Sequence, residues 1–318
     1  GELVRGSPVP EHCTKPPVDP ARDLEQRRER TWREQLLARS RPSALPTCPG
    51  EGGYRRTVNQ STGAKPHTIP CVPGPELYLF DSGTLALNGV EVPVPFFLIR
   101  HPEGTVMVDG GNPAAVATDP RAHWGDLADV FEVHMTEDQH CAPQLASFGL
   151  EPASVSHVVQ THLHIDHTGA LGHFPDARVV VHTRELEAAR AADSPLRTGY
   201  VRADYDRPEL KWQTTDSELD LFGDGTVRLI ETPGHSTGHM SLLLNLEDTG
   251  PVLLTADASD NRDQWEGRAR PRALHSREQA TQSLERLHAV AEDTGALVVF
   301  GHDPENWSQL RRAPESYR

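Results

Sequence analysis

Along most of this chain, short apolar runs of strand length alternate with polar, turn-rich stretches. Residues 77–80, 95–99 and 105–108 read as three strands, with turns at Asp81-Ser82-Gly83 and Pro102-Glu103-Gly104. The runs at 155–160, 178–182, 227–231, 240–246, 252–255 and 297–300 continue the series. Helical patterns follow at 183 to about 192 and at 277–293, and a third helix is expected from Thr168-Gly169 through Ala170, Leu171 and Phe174. Residues 114–140, of mixed polarity with Trp124, Phe131 and Met135, read as a loop at the edge of a pocket. The strand runs come in two batches, each with helices. That order fits a two-sheet sandwich with helices outside better than a single Rossmann sheet.

Residues 1–73 read differently. Pro-Pro, Pro-Gly and Gly-Gly pairs punctuate them, and one helix is expected over 21–39, with Asp19 as its cap and Pro20 at its first position. Leu24, Trp32, Leu36 and Leu37 give that helix a thin apolar stripe. The expected organisation is therefore an N-terminal extension, 1–73, packed as a clamp on the main domain, 74–318, with a disordered tail or partner-binding arm as the alternative.

Composition narrows the function. Hydrophobic residues at 36% and charged residues at 24% are those of a soluble protein, and no apolar window reaches the length of a membrane span. A net charge of −15 argues against binding nucleic acid or anionic membrane, whose phosphates it would repel. Cys13, Cys48, Cys71 and Cys141 form no C-x-x-C pair; they permit a disulfide without demanding one. A cytoplasmic location is expected, with secretion left open by the three N-terminal cysteines. A homodimer is also left open.

The chemistry concentrates just after the apolar run at 155–160, in Thr161-His162-Leu163-His164-Ile165-Asp166-His167. Three imidazoles and a carboxylate within six residues, mounted at a strand end, suit zinc or a similar divalent ion. A lone histidine is more often a surface or core residue, but this cluster has company. His235 follows the strand at 227–231, Asp257 the one at 252–255, and His302 the one at 297–300. Five histidines and two aspartates exceed what one tetrahedral ion uses, so two adjacent ions are expected, with Asp257 able to bridge them.

The pattern His162-x-His164-x-Asp166-His167, then His235, Asp257 and His302, resembles the metallo-β-lactamase superfamily. Within it, Leu253-Leu254-Thr255-Ala256-Asp257-Ala258-Ser259 and Phe300-Gly301-His302-Asp303 are most similar to the N-acyl-homoserine lactonases, over about residues 76–307. The resemblance implies an αββα metallo-β-lactamase sandwich with the metals where the two sheets meet. It implies that His162, His164 and His235 hold one ion and Asp166, His167 and His302 the other, with Asp257 shared. The ions would be zinc, with iron, manganese or cobalt as alternatives. A hydroxide between them would attack a small-molecule lactone, and Asp166 would manage the proton. Asp109 is similar to the aspartate that steadies the ligand loop, and His239 reads as structural.

One position departs from the lactonases. They carry a hydrogen-bonding tyrosine three residues after the bridging aspartate, where this chain has Asp260. An ionised carboxylate cannot donate that bond. Asp260 is thus a candidate catalytic position of altered chemistry, Tyr200 and Tyr205 are candidate substitutes for the donor, and weak turnover of acyl-homoserine lactones is expected. The alternatives are another binuclear hydrolase of the same fold, acting on a thioester, a phosphotriester or a secondary-metabolite lactone, and a non-enzymatic scaffold. A scaffold would be expected to lose ligands, and none is missing. A β-lactamase proper fits Asp166-His167 less well, and a di-iron reductase would want glutamate at His164.

Overall fold

Strand runs apolar on both faces need cover on both sides, and the computed structural model, which describes residues 74–87 and 89–318, shows how they obtain it. The expected helix over 21–39, the clamp and the three N-terminal cysteines lie outside the described residues. Seven strands form one sheet: β1 (Glu76–Leu87), β2 (Val90–His101), β3 (Gly104–Val108), β4 (Glu132–His134), β5 (Val155–Val159), β6 (Arg178–His182) and β7 (Lys211–Thr215). Their spatial order is β4-β1-β2-β3-β5-β6-β7. The second sheet holds β8 (Leu219–Asp220), β9 (Val227–Glu231), β10 (Met240–Leu246), β11 (Gly250–Ala256) and β12 (Leu297–Phe300), ordered β12-β11-β10-β9-β8.

Alternation along β1 explains the layers. Leu77 and Leu79 face Val227, Leu229, Met240 and Leu242 of the second sheet, while Tyr78 and Phe80 point the other way. There they meet Leu145 and Phe148, and the same outer core includes Leu171 and Leu186. The helix Arg277–Thr294 packs on β11, burying Ala280, Leu284, Leu287 and Val290. Helix, two sheets and helix make the expected αββα sandwich.

Most expected strands form close to the expected positions, but three readings change. The helix after Thr168-Gly169 is only a 3-10 turn, Thr168–Ala170. Gly169 lies so close to the backbone of 110–112 that a Cβ would sit 2.4 Å from the Gly110 carbonyl oxygen, and its amide bonds Gly111 at 2.9 Å. This clasp, followed by Gly172 and Pro175, keeps the segment from winding on. The stretch 114–140 is not plain loop, since it carries the helix Pro120–Trp124 and the edge strand β4. The polar strand β7 pairs in parallel with β6 and lacks the apolar pattern that would have marked it. Among the described residues no helix is long and apolar enough to cross a membrane.

Candidate metal centre and active site

The seven candidate ligands converge because their strands end on one edge of the sandwich. β5 delivers His162, His164, Asp166 and His167; β9, β11 and β12 deliver His235, Asp257 and His302. Ligand atoms of His162, His164 and His235 lie within 4.8 Å of one another, as do those of Asp166, His167 and His302. Asp257 stands between the sets. Its Oδ2 is 3.3 Å from His235 Nε2 and 3.9 Å from His162 Nε2, while its Oδ1 is 3.3 Å from His167 Nε2 and 3.1 Å from His302 Nε2. All seven side chains are buried.

Other groups aim these rings. Asp109 takes a left-handed backbone (φ 56°) at the end of β3, uncommon for a residue with a side chain. That bend lets its carboxylate accept from the Thr161 amide and hydroxyl, both at 2.8 Å, and from His167 Nδ1 at 2.8 Å. His302 Nδ1 donates to the Pro93 carbonyl at 2.9 Å, and His235 Nδ1 to the Arg272 carbonyl at 3.3 Å. A carbonyl only accepts, so these bonds put the proton on Nδ1 and leave a lone pair on Nε2 facing the centre. Ala256, also left-handed at φ 45°, turns the chain into Asp257. His239 accepts from the Asp257 amide through Nε2 at 3.1 Å and is fixed by Thr232 through Nδ1, which is a structural position.

Glu185, from the helix Thr183–Ala191, was legible in the sequence only as one more helix carboxylate. It is fully buried and takes four hydrogen bonds: Leu163 amide, Tyr200 hydroxyl, Ser236 hydroxyl and Gly238 amide. One carboxylate thus ties the loop carrying His162 and His164 to the loop carrying His235. Burial raises its pKa, and the four donors hold that rise back.

The electrostatics divide the histidines. Burial keeps His162 and His235 well below the ordinary imidazole range, and takes His164 to about 3. Burial also opposes charge on His167 and His302, but the carboxylates of Asp257 and Asp166 outweigh it, raising His167 well above the usual value and His302 to about 9. Carboxylates that attract protons here attract any cation. His162 Nε2, His167 Nε2, His302 Nε2 and Asp257 Oδ1 are buried without a hydrogen-bond partner. Buried orphan atoms are rare, and four acceptor positions around one point are what a cation satisfies. The donor set, imidazole nitrogen and carboxylate oxygen, fits a divalent metal.

A cavity of about 510 Å³ opens onto this centre. Its floor is His164, Asp166, Asp260 and His302, and its lips are aliphatic, among them Leu127, Val130, Leu196 and Leu274. Neither tyrosine that stood as a substitute donor reaches it: Tyr200 donates to Glu185 at 3.0 Å and Tyr205 to the Ala189 carbonyl at 2.6 Å. Asp260 is likewise no bare carboxylate. Gln264 donates to its Oδ2 at 3.0 Å, and Arg272 Nε lies 3.1 Å from the same oxygen. Burial raises the Asp260 pKa despite this guanidinium. Arg272 also ion-pairs with Asp257. It belongs to an unpatterned stretch, Arg268-Ala269-Arg270-Pro271-Arg272, where no periodicity distinguishes one arginine from the next.

Fold and site together define a metal-dependent hydrolase fold of known type, and residues 89–302 match the family described as the metallo-beta-lactamase superfamily. The chain belongs to that superfamily and, within it, to the N-acyl homoserine lactonases. It is 45% identical to the N-acyl homoserine lactonase AttM of Azorhizobium caulinodans over 257 residues, covering 76% of this chain and 98% of the relative. It is 30% identical to the N-acyl homoserine lactonase AiiA of Bacillus thuringiensis subsp. kurstaki, over 71% of this chain and 87% of that one. A solved N-acyl homoserine lactone hydrolase, with the product N-hexanoyl-L-homoserine at its catalytic metal centre, superposes with a TM-score of 0.70 at 28% identity, covering 78% of this chain and all of the other.

Proposed function

We propose that this protein hydrolyses the ring ester of N-acyl-homoserine lactones or closely related lactones, using two divalent ions, zinc in the first place. The observation that carries the reading is the division of Asp257, one oxygen toward His162 and His235 and the other toward His167 and His302, beneath a cavity with aliphatic lips. His162, His164 and His235 would hold one ion; Asp166, His167 and His302 the other; Asp257 both. When bound, such ions acidify water and polarise a carbonyl.

The chain's own residues supply orientation and proton handling. Asp109, Pro93 and Arg272, through the latter two's carbonyls, keep the rings from rotating, so the donor atoms stay aimed as substrate arrives. Asp166 lines the cavity floor with one oxygen 3.5 Å from His302 Nε2 and the other 3.7 Å from His167 Nε2. From there it takes the proton of the attacking water and returns it to the ring oxygen that leaves, so that a lactone and a water become a hydroxy acid. Aliphatic lips suit the acyl chain of the substrate and exclude water above the reacting carbonyl.

Residues 74–318 contain every one of these groups and constitute the catalytic domain in this reading, with 1–73 an extension to it. The test is a panel of lactones, thioesters and phosphotriesters offered to the purified, metal-analysed chain. Addition of one water to the lactones, seen by mass spectrometry, and about two divalent ions per chain are expected. Turnover of thioesters alone, or fewer than one ion per chain in protein never exposed to chelator, would sink it.

A further inference from the structure

Of the two arginines that line the cavity, Arg197 pairs with the exposed Asp193, whereas Arg272 is fixed by the buried carboxylate of Asp260. Arg272 reaches Asp260 through Nε, 3.1 Å from Oδ2, and through Nη2, 3.4 Å from Oδ1, and its Nη2 also meets Asp257. Asp260 is itself fastened at both its amide and its carboxylate by Gln264, at 2.8 and 3.0 Å. Among the described residues no hydrogen bond or ion pair reaches Arg272 Nη1. The side chain is 38% exposed, and it lines the cavity. A guanidinium held by two carboxylates, with a donor nitrogen that no described group takes, is built to meet an acceptor on a ligand.

We propose that Arg272 is the specificity determinant that selects lactones carrying an amide next to the ring, by donating from its guanidinium to the amide carbonyl, with Asp260 as the residue that positions it. This rests on the lactonase reading and adds the group recognised. The placement follows from the order of surfaces along the cavity. A ring carbonyl must lie over the ligand floor, and an acyl chain must lie on Leu127, Val130, Leu196 and Leu274. The atoms joining ring to chain then pass Arg272, two residues before Leu274. A lactone without that amide leaves the guanidinium with nothing to donate to. The backbone carbonyl of Arg272, which orients His235, persists in every side-chain variant, whereas the Nη2 contact with Asp257 does not, so zinc content must be read beside the kinetics.

The experiment uses the full chain loaded with zinc, as wild type, Arg272→Met, Arg272→Lys and Asp260→Asn. Kinetics are measured on N-hexanoyl-homoserine lactone and on γ-butyrolactone, which has the ring without the amide. Calorimetry follows binding of N-hexanoyl-homoserine and of 4-hydroxybutanoate, two carboxylates that differ by the hexanoylamino group, and zinc content is determined for each variant. For Arg272→Met the ratio of kcat/KM between the two lactones is expected to fall by about tenfold or more, through KM, as befits loss of a charged donor. Affinity should fall for N-hexanoyl-homoserine more than for 4-hydroxybutanoate, Arg272→Lys should restore part of the ratio, and Asp260→Asn should follow in the same direction. An unchanged ratio, or zinc content that falls with the guanidinium, would overturn the assignment of Arg272 and leave the lactonase standing. A wild-type chain that opens neither lactone would instead overturn the lactonase reading beneath it.

Discussion

The floor and the lips of the cavity are built on opposite terms. In and beneath the floor, the imidazoles of His167, His235 and His302 each have one nitrogen fixed by a carboxylate or a carbonyl, and Glu185 and His239 hold the backbone around them. The lips are aliphatic side chains with no such tethers, several well exposed, such as Leu196 at 52% and Leu274 at 56%. A floor held by many directional bonds fails as a unit when one is cut. Lips held by buried apolar area alone change by degrees. Substitution should therefore abolish the reaction at the floor and retune substrate choice at the lips.

The largest effect is expected at Asp257, which stands between the two candidate ligand sets. Asp257→Ala, or His167→Ala, should lower kcat/KM on any lactone by on the order of 10³-fold or more, as for loss of a group central to a reacting centre. Metal analysis of the same variants should show fewer ions per chain than wild type. Asp257→Ala with wild-type metal content and rate would dissolve the distinction between floor and lips.

Glu185→Gln probes the floor's support without touching a ligand. The amide would turn an N–H₂ toward one of two pairs of donors, either Leu163 and Tyr200 or Ser236 and Gly238, leaving at least one buried N–H unpaired. About 1–3 kcal/mol of stability should be lost for each such orphan, read as a lower denaturation midpoint. Metal affinity should fall by roughly ten- to a hundredfold, as when a group that orients ligands is removed. A variant with unaltered metal affinity would show that the two ligand loops hold their positions without Glu185.

Floor and supports were not equally legible in the sequence. The candidate ligands are conspicuous because metal chemistry admits few side chains and because strands deliver them in short motifs such as His162-x-His164-x-Asp166-His167. The strands behind them were apolar on both faces and so stood out as runs. Glu185 and Arg272 did not stand out, because what distinguishes them is burial beside distant partners. Glu185 is 22 residues from Leu163 and 53 from Gly238. Nothing local separates it from Glu187 on the same helix. The expected helix after Thr168 fails for a similar reason, since the clasp of Gly169 against Gly110 is a close approach across 59 positions that no window of sequence contains. The aspartate at 260 was visible as a departure from the lactonases, but its meaning required the arginine twelve residues later.

The lips should respond in proportion to chain length. Leu196→Ala removes apolar surface against which only a long acyl chain would lie. At about 25 cal/mol for each Å² of apolar surface left in water, roughly 1 kcal/mol is expected for a decanoyl substrate, about a fivefold rise in KM, with little change for a butanoyl one. Steady-state kinetics on a series of acyl lengths measures this directly. An equal rise at every length would mean that Leu196 shapes the floor and not the lips.

The smallest effect is expected where the two regions join. The segment carrying Leu127, Val130 and Phe131 begins with the helix Pro120–Trp124, whose His123 bonds Asp204 at 2.7 Å. Asp204 accepts in turn from Thr168, the residue after His167, at 2.9 Å, so one carboxylate links lip segment to ligand loop. The hydrogen bond to Asp204 raises the His123 pKa above its usual value, although burial opposes it. A raised folded-state pKa gives stability that is fully present below the unfolded value of about 6.5 and is lost as pH rises through the folded value. His123→Gln keeps a neutral donor and removes the charge. The stability difference between wild type and His123→Gln should therefore be greatest below about pH 6.5, on the order of 1 kcal/mol for a charge-assisted bond against a neutral one, and should shrink above the folded value. Denaturant midpoints at a series of pH values test this. A difference that stayed constant, or grew toward alkaline pH, would show that the joint between lips and floor does not depend on the charge of His123.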